Sequence, residues 1–301
     1  MTAKNNIRNK ATLLGSSHCG FAQAIPLESQ TGFYSDFIRK RCYADLDYLQ
    51  RYANYRMNPE QVFPGVKTVI SLLMNYFPHS IIPEEDNFII SKYAYGKDNH
   101  VVMKERIQQM VQFLTGTFPP CRAQGFFDSA KVMEKFWAQR CGVGWQGKNT
   151  LIIHKDQGSY FHIGIIFTDL EVDPDQPESD HCGNCEACRR ACPTGALHTP
   201  YQLDIIRCLA YHTIENRSEI PEGVQGKFHD RIYGCDICQD TCPYNRFARS
   251  HKEPDFLPSQ EMVAMRKKEW LAMDEVMFNR LFKHSSVSRT GFLTLKRNMH
   301  L

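Results

Sequence analysis

The feature that most constrains this chain is a run of closely spaced cysteines, CGNCEACRRACP, from Cys182 to Pro193. Its C-x2-C-x2-C-x3-C-P spacing is typical of domains in which three thiolates bind one [4Fe-4S] cubane and the fourth binds another. A shorter run, C-x2-C-x3-C-P, begins at Cys235, and Cys208 lies upstream to supply the missing ligand. Because each cubane takes four thiolates, the spacing predicts a domain folded around two [4Fe-4S] clusters.

The crossed arrangement of such runs divides the ligands into two groups. The first cluster is predicted to take Cys182, Cys185, Cys188 and Cys242. The second is predicted to take Cys192, Cys208, Cys235 and Cys238. Two structural zinc sites are the alternative, but the three-cysteine step and the Cys-Pro pair closing each run favour cubanes. The remaining cysteines are expected to be small buried residues: Cys19, Cys42, Cys121 and Cys141.

Composition narrows the class of protein further. With 301 residues, of which 42% are hydrophobic and 23% charged, the chain can bury a sizeable core. It contains no run of about 18 apolar residues, and its polar N-terminus lacks the apolar core of a signal peptide. We therefore expect a cytoplasmic protein whose clustered cysteines bind metal rather than form disulfides.

The pattern of apolar residues predicts an α/β or α+β domain over residues 1–175. The segments at 66–77 and 159–170, VKTVISLLMNYF and SYFHIGIIFTDL, are predicted to be buried strands. Between them, residues 99–118 carry apolar side chains at helical spacing, and a second helix is predicted over residues 129–142.

The rest of the chain divides by composition. An acidic, proline-bearing stretch, EVDPDQPESDHC, predicts a linker before a cysteine-rich domain at residues 176–250, which a helical segment at residues 251–301 follows. Residues 244–301 hold 11 Lys and Arg against 6 Asp and Glu, a net charge of +5 where the whole chain has +3. The basic charge is therefore concentrated at the C-terminal end.

The first domain must hold the site where electrons are used, but its residues alone do not identify that site. The sequence has no G-x-G-x-x-G after a strand, no P-loop and no H-E-x-x-H. Asp128 precedes the second predicted helix, where an aspartate is commonly an N-cap. Lys97, Asp98 and His100 form either a functional loop or a solvated helix start.

Several longer segments carry a resemblance to a known family. GWQGKNT and GCDICQDTCPYN, which flank the first cysteine run, are its most specific parts, and RMNPEQVFPGVKTVI, YAYGKDNHVVMKER and SRTGFLTLKRNM extend it over nearly the whole chain. Together they resemble the epoxyqueuosine reductase family, cobalamin-dependent iron–sulfur enzymes that complete queuosine synthesis on tRNA. The resemblance is to a short form of the family, without C-terminal helical repeats.

The resemblance implies an α+β fold in three parts. An N-terminal α/β cobalamin-binding domain, with a nitroreductase-like sheet flanked by helices, precedes a bacterial-ferredoxin-like domain with two clusters and a short, basic helical C-terminus. Electrons are expected to pass from the clusters to cobalamin. Asp128 is implied as the proton donor, a role for which the pKa of its carboxyl group would have to be raised.

The same resemblance implies the cofactor contacts. Cobalamin is expected to contact Arg56 and the loop of Gly147, Lys148 and Asn149, although an ordinary surface lysine is the alternative for Lys148. Ser91 stands where some relatives have a cysteine near the cobalt.

The implied substrate is a tRNA that carries epoxyqueuosine in its anticodon. Phosphates are bound by clustered positive charge, which gives the basic end of the chain a role. The candidate RNA contacts are Arg246, Arg249, Lys267, Lys268, Arg289, Lys296 and Arg297. The other expected partner is an electron donor such as a ferredoxin or flavodoxin, and the protein is expected to be a monomer that does not bind membranes.

The predicted function is therefore reduction of epoxyqueuosine to queuosine at the wobble position of tRNA. A cobalamin- and iron–sulfur-dependent reductase of a small molecule, similar to reductive dehalogenases, is the alternative, but those enzymes generally carry a twin-arginine export signal. A ferredoxin-type carrier would not need the long domain before Cys182. A tRNA-binding protein with structural metal sites is the third possibility.

Overall fold

A computed structural model describes residues 2–301, in which short strands and helices follow one another along the chain. The strands are β1 (His18–Gln23), β2 (Thr68–Asn75), β3 (Ile89–Ile90), β4 (Ala123–Phe126), β5 (Trp145–Gln146), β6 (Ile152–Ile153), β7 (Phe161–Thr168) and β8 (Arg231–Tyr233). The α-helices are α1 (Ala3–Leu13), α2 (Glu28–Arg39), α3 (Tyr48–Arg51), α4 (Ala53–Met57), α5 (Pro59–Val62), α6 (Asn99–Thr117), α7 (Glu134–Arg140), α8 (Ala187–Ala191), α9 (Leu209–Ile214), α10 (Ile237–Asp240), α11 (Gln260–Ala264), α12 (Lys267–Leu271), α13 (Glu275–Leu281) and α14 (Phe292–Asn298). Short 3-10 helices cover Lys92–Ala94, Ile205–Arg207, Pro243–Phe247, Pro254–Phe256 and Ser286–Thr290.

A four-stranded antiparallel sheet in the order β1-β2-β7-β4 organises the N-terminal half. The two strands predicted from the sequence are β2 and β7, the central pair. Successive residues of β2 point to opposite faces, so that Val69 and Leu73 enter one apolar cluster while Ile70 and Leu72 enter another. Because both faces are buried, the strands are nearly continuous apolar runs.

Helices cover both faces of this sheet. Helices α1 and α6 pack on one face and α7 packs on the other. The predicted helix at 99–118 is confirmed as α6, which Asp98 caps by accepting the His100 N–H at 2.9 Å. The prediction at 129–142 was too long, because the backbone at Asp128 has a φ of 46° and the chain turns before α7 begins at Glu134. Antiparallel strands under helical layers confirm the α+β class.

A third apolar cluster connects the C-terminal segment with the rest of the chain. Trp270 and Phe282 are buried in it beside Ile90 and Ile232, which lie on the parallel strands β3 and β8. The buried apolar side chains of residues 251–301 thus belong to clusters that earlier segments share. Within the described chain, no helix is long and apolar enough to cross a membrane.

The central position of β2 predicts a large cost for truncating its buried side chains. Leu73→Ala should lower the free energy of unfolding by about 2–5 kcal/mol, because Leu73 is 0% exposed and its removal leaves a cavity. Leu13→Ala is the matched control, since Leu13 is 82% exposed and its loss should change stability by less than about 0.5 kcal/mol. Denaturant unfolding of the cluster-containing protein measures both, and equal effects would contradict this packing.

Candidate active site and cluster-binding centre

One group of cysteines surrounds a cavity of about 270 Å³ near the surface. Cys182, Cys185, Cys188 and Cys242 all line it, and Cys185 is exposed. Burial, followed by the thiols of Cys242, Cys182 and Cys185, raises the pKa of Cys188 to about 11. The structure therefore brings together the four residues predicted to bind the first cluster, although they lie on two distant parts of the chain.

The other group lies deeper. Burial, followed by the thiols of Cys208, Cys235 and Cys192, raises the pKa of Cys238 well above its ordinary value. Cys188 is the next thiol that acts on Cys238, so the two groups adjoin there. No three His, Cys, Asp or Glu side chains within residues 2–301 are arranged to hold a metal ion, and a cubane needs a different arrangement, with each thiolate on its own iron.

Lys148 binds the first cysteine run and is not free to contact a cofactor through its ammonium group. The side chain is 9% exposed. Its Nζ donates to the carbonyl oxygens of Gly183 at 2.7 Å and Cys185 at 3.0 Å, and to Glu186 Oε1 at 2.8 Å. Because an ammonium group has three N–H donors, all are used. The surface-lysine interpretation is wrong, and the implied cobalamin contact does not fit this ammonium group.

Asn149 binds the second run in the same turn. Its Nδ2 donates to the carbonyl oxygen of Cys238 at 3.1 Å, so this side chain also serves the cluster domain. Gly147 permits the tight turn, because a Cβ there would lie 2.4 Å from Ile153 Cδ1. The turn predicted to hold cobalamin thus fixes both cysteine runs.

Ser91 is also committed to the cysteine-rich domain. It is 3% exposed, its hydroxyl donates to Asp236 Oδ1, and its N–H donates to the Tyr233 carbonyl at 2.8 Å. Gly234, with a φ of 74°, makes this approach possible, because a Cβ there would lie 2.5 Å from Ser91 Cβ. The hydroxyl therefore faces the segment between Cys235 and Cys238.

A buried ion network beside Ser91 was missed by the sequence interpretation. The Lys92 side chain is 9% exposed, and its Nζ lies 2.9 Å from Asp240 Oδ1 and 3.5 Å from Asp236 Oδ2. The Lys92 N–H donates to Asp236 Oδ2 at 2.9 Å, and the Tyr160 hydroxyl donates to Asp240. The sequence signal for this network was the pair of aspartates inside GCDICQDTCP. Acidic residues that are buried among cluster ligands need compensating cations.

Asp128 lies at the end of a row of polar side chains. His100 Nε2 lies 3.1 Å from Asp128 Oδ2, and His100 Nδ1 lies 3.2 Å from Asp98 Oδ1. Arg289 Nη1 lies 3.4 Å from His100 Nε2. The Asp128 side chain is 71% exposed and caps no helix, so the N-cap alternative is wrong. Of the residues in YGKDNH, Asp98 is both the cap of α6 and a member of this row.

The expected raised pKa of Asp128 is not found in this row. The hydrogen bond with His100 lowers the pKa of Asp128, and burial opposes it only in part. The same bond, with that from Asp98, raises the pKa of His100 to about 9. At neutral pH the pair is therefore an imidazolium beside a carboxylate.

Lys135 is a further charged group that acts on Asp128. Its side chain is exposed, yet the loss of hydration lowers its pKa. Cys238, Glu134, Asp128 and Cys208 act in the opposite direction and raise that pKa.

Arg56 supports the loop after Asp128. Its Nη1 donates to the Ala130 carbonyl at 2.8 Å, and its guanidinium lies 5.7 Å from the Tyr34 ring. Its Nε is buried and has no hydrogen-bond partner within residues 2–301. The unpaired Arg56 Nε and the exposed Lys135 ammonium group are donors that fit a large ligand with many amide and phosphate acceptors, such as cobalamin.

The predicted RNA contacts separate into available and committed side chains. Arg246, Arg249 and Lys268 are exposed. Lys267 pairs with Asp230 at 2.8 Å. Arg289 is 47% exposed but reaches the His100 row.

Arg297 does not suit a phosphate contact. Its guanidinium donates to the carbonyls of Asn216 at 3.0 Å and His212 at 2.7 Å, and burial lowers its pKa. This corrects the predicted role of Arg297. Lys296 Nζ lies 3.3 Å from the Met273 carbonyl, and its half-buried side chain stays a predicted contact.

Two family models match the chain. The "4Fe-4S double cluster binding domain" matches residues 181–245, and "Epoxyqueuosine reductase QueG, DUF1730" matches residues 56–129. The fold and the eight thiols thus define an α+β domain joined to a double [4Fe-4S] domain.

Full-length relatives identify the family. The epoxyqueuosine reductase of Cellulophaga algicola is 38% identical and the alignment covers 97% of this chain and 95% of the relative; that of Escherichia coli is 33% identical, with 95% and 76% covered. A crystal structure of epoxyqueuosine reductase with an epoxyqueuosine-modified tRNA-Tyr stem loop superimposes with a TM-score of 0.88, at 27% identity, over 98% of this chain and 79% of that one. The chain belongs to the epoxyqueuosine reductase family and is an oxidoreductase, which confirms the resemblance.

The contacts of Lys148 predict a role in cluster assembly. Lys148→Met should lower the iron and sulfide content of the anaerobically purified protein, because it removes three charge-assisted hydrogen bonds to the segment that carries Cys182, Cys185 and Cys188. Cobalamin binding, followed by absorbance titration, should persist. Lys155→Met, at an exposed lysine, is the control. Full iron content together with lost cobalamin binding would contradict the anchoring role.

The grouping of thiols predicts which cluster each cysteine supports. Cys188→Ser should damage one cluster and Cys192→Ser the other, although only three residues separate them. Iron analysis and low-temperature EPR of the reduced proteins distinguish the two signals. Cys121→Ser, outside both groups, should keep both clusters. Loss of the same EPR signal in Cys188→Ser and in Cys192→Ser would refute the crossed arrangement.

Proposed function

We propose that this chain reduces epoxyqueuosine to queuosine at the wobble position of tRNA, the last step of queuosine synthesis, with Asp128 as the proton donor. The family assignment supports the reaction, and the relative solved with a modified tRNA stem loop supports the substrate. The cofactors are two [4Fe-4S] clusters and cobalamin. The observation that carries the assignment of Asp128 is its exposed carboxylate at the end of a row of hydrogen-bonded side chains.

Bound cobalamin supplies the strong reductant that an epoxide carbon requires. The side chains suited to hold it are Arg56, through its unpaired Nε, and Lys135. Asp128 has the remaining task of delivering a proton to the departing oxygen, because an alkoxide is a poor leaving group. A related Bacillus subtilis structure is described with an aspartate-bearing catalytic loop swung out of the active site. The left-handed backbone of Asp128 is a suitable pivot for such a loop here.

Electrons are proposed to travel from the surface inward. The group with exposed Cys185 is the entry side, and its neighbour is the group of Cys238. Cys238 and Asp128 both act on Lys135, which supports an order in which the Cys238 group is the one nearer to Asp128. The crossed ligand assignment fits this order, because Cys188 of the first group acts on Cys238 of the second.

The remaining features of the proposal concern arrangement and partners. We propose a nitroreductase-like first domain at 1–175, a double-cluster domain at 176–250 and a basic segment at 251–301. The exposed Arg246, Arg249 and Lys268 are the proposed phosphate contacts. An electron donor such as a ferredoxin or flavodoxin, a monomeric state and a cytoplasmic location complete the proposal.

The test is direct. The reduced, cobalamin-loaded protein is incubated with tRNA that carries epoxyqueuosine, and the digested nucleosides are analysed by mass spectrometry. We expect the nucleoside to lose the mass of one oxygen. Asp128→Asn should keep both clusters and cobalamin but lower the single-turnover rate by about 10²–10⁴-fold. Asp47→Asn, at an exposed aspartate, is the control. An unchanged nucleoside with the wild-type protein would exclude the reaction.

A further inference from the structure

A solvent-open groove leads to His100, the hydrogen-bond partner of Asp128. The groove, of about 670 Å³, runs between α6 and β4 and is lined by His100, Lys104, Gln124 and Ser129, among others. The His100 side chain is 33% exposed, and its Nε2 lies 3.1 Å from Asp128 Oδ2. Water in the groove can therefore reach His100, and His100 contacts Asp128.

We propose that His100 is a positioning residue that holds the proton to be used by Asp128 and renews it from water in the groove. Asp98 fixes the ring, because its Oδ1 lies 3.2 Å from His100 Nδ1 while it also accepts the His100 N–H at 2.9 Å. With the Nδ1 proton held in this way, only the Nε2 proton is free to move. This inference rests on the proposed function and adds the source of its protons.

The proton balance requires such a source. Removal of the epoxide oxygen breaks both C–O bonds, forms a C=C bond and releases water, which consumes two electrons and two protons. The electrons come through the clusters and the bound cofactor. As charge develops on the departing oxygen, the Asp128 carboxylate takes the Nε2 proton of His100 and passes a proton to that oxygen, which leaves His100 neutral and Asp128 ionised again. Water then reprotonates His100, and the second proton follows the same route.

The ionisation of the pair agrees with this geometry. The carboxylates of Asp128 and Asp98 raise the pKa of His100 to about 9, so that His100 carries the proton at neutral pH, whereas the pKa of Asp128 is lowered. Arg289 acts in the opposite direction on His100, and its Nη1, 3.4 Å from Nε2, can donate to the ring once the proton has left. Without His100, Asp128 alone would hold the proton less readily near neutral pH.

Other titratable groups face this pair. Lys135 acts on Asp128, and Glu134 accepts the Ser129 N–H at 2.7 Å next to it. Burial raises the pKa of Glu134 to about 7. His162 is buried behind His100, and burial lowers its pKa to about 3, so it stays neutral. A change of rate near pH 7 would therefore be assigned to Glu134, and a change of rate near pH 9 to His100.

The experiment compares pH profiles of single turnover on epoxyqueuosine tRNA. The wild-type rate should hold between pH 6 and 8 and fall as His100 loses its proton near pH 9. His100→Gln keeps an N–H donor for Asp128 but carries no transferable proton. Its rate should fall by about 100-fold at pH 8 and much less at pH 6, where Asp128 itself takes up protons. Exposed His79→Gln is the matched control and Glu134→Gln should keep the change of rate near pH 9.

A second measurement does not depend on turnover. In the oxidised, cluster-containing protein without substrate, the His100 ring followed by ¹⁵N NMR should titrate near pH 9, and Asp128→Asn should move this titration toward the ordinary histidine value near 6.5. A rate loss in His100→Gln that is equal at pH 6 and pH 8, or an ordinary His100 titration in the wild type, would overturn the inference. If the wild-type protein does not reduce the tRNA, the proposed function fails instead.

Discussion

The attachment of the cysteine-rich domain through buried charged groups is the constraint on which the rest of the structure depends. Lys148 donates to the first run, and Lys92 pairs with Asp240 beside the second, with each lysine side chain 9% exposed. Buried ammonium groups are tolerated only when their hydrogen bonds are satisfied, and these bonds are directional. Apolar packing is not directional, whereas these contacts fix the cysteine groups relative to the first domain.

Fixed distances matter because electrons must move between centres that do not touch. Both lysines lie on the first domain, and both bind the segments that carry the cluster ligands. Asn149 of the same domain holds the Cys238 segment in the same way. The antiparallel sheet and its two helical layers provide the base from which these side chains project. The contacts that join the two domains are therefore also the contacts that position the cluster ligands.

The Asp128 site is organised by a hydrogen-bonded pair of ionisable side chains. An isolated carboxyl group in an exposed loop would be ionised at neutral pH, and burial beside a cofactor is one way to keep it protonated. The structure shows a different arrangement, in which the proton lies on His100 and Asp128 is a carboxylate hydrogen-bonded to it. Asp98 and Arg289, from distant parts of the chain, complete the row. The C-terminal segment thus contributes to this row of side chains as well as to the apolar cluster around Trp270.

The sequence by itself determined the two central strands, helix α6, the [4Fe-4S] domain and, through its specific segments, the family. Those features are written in local spacing: an apolar run long enough for a buried strand, a helical period, or thiols separated by two or three residues. The destinations of individual polar side chains were decided only by the tertiary structure. Lys148 and Arg297 have the same sequence appearance as surface cations, yet each is surrounded by carbonyl oxygens from segments distant in the chain. Three-dimensional proximity decides which groups a residue contacts, and so whether its charge is available to a ligand. Spacing along the chain does not encode that proximity.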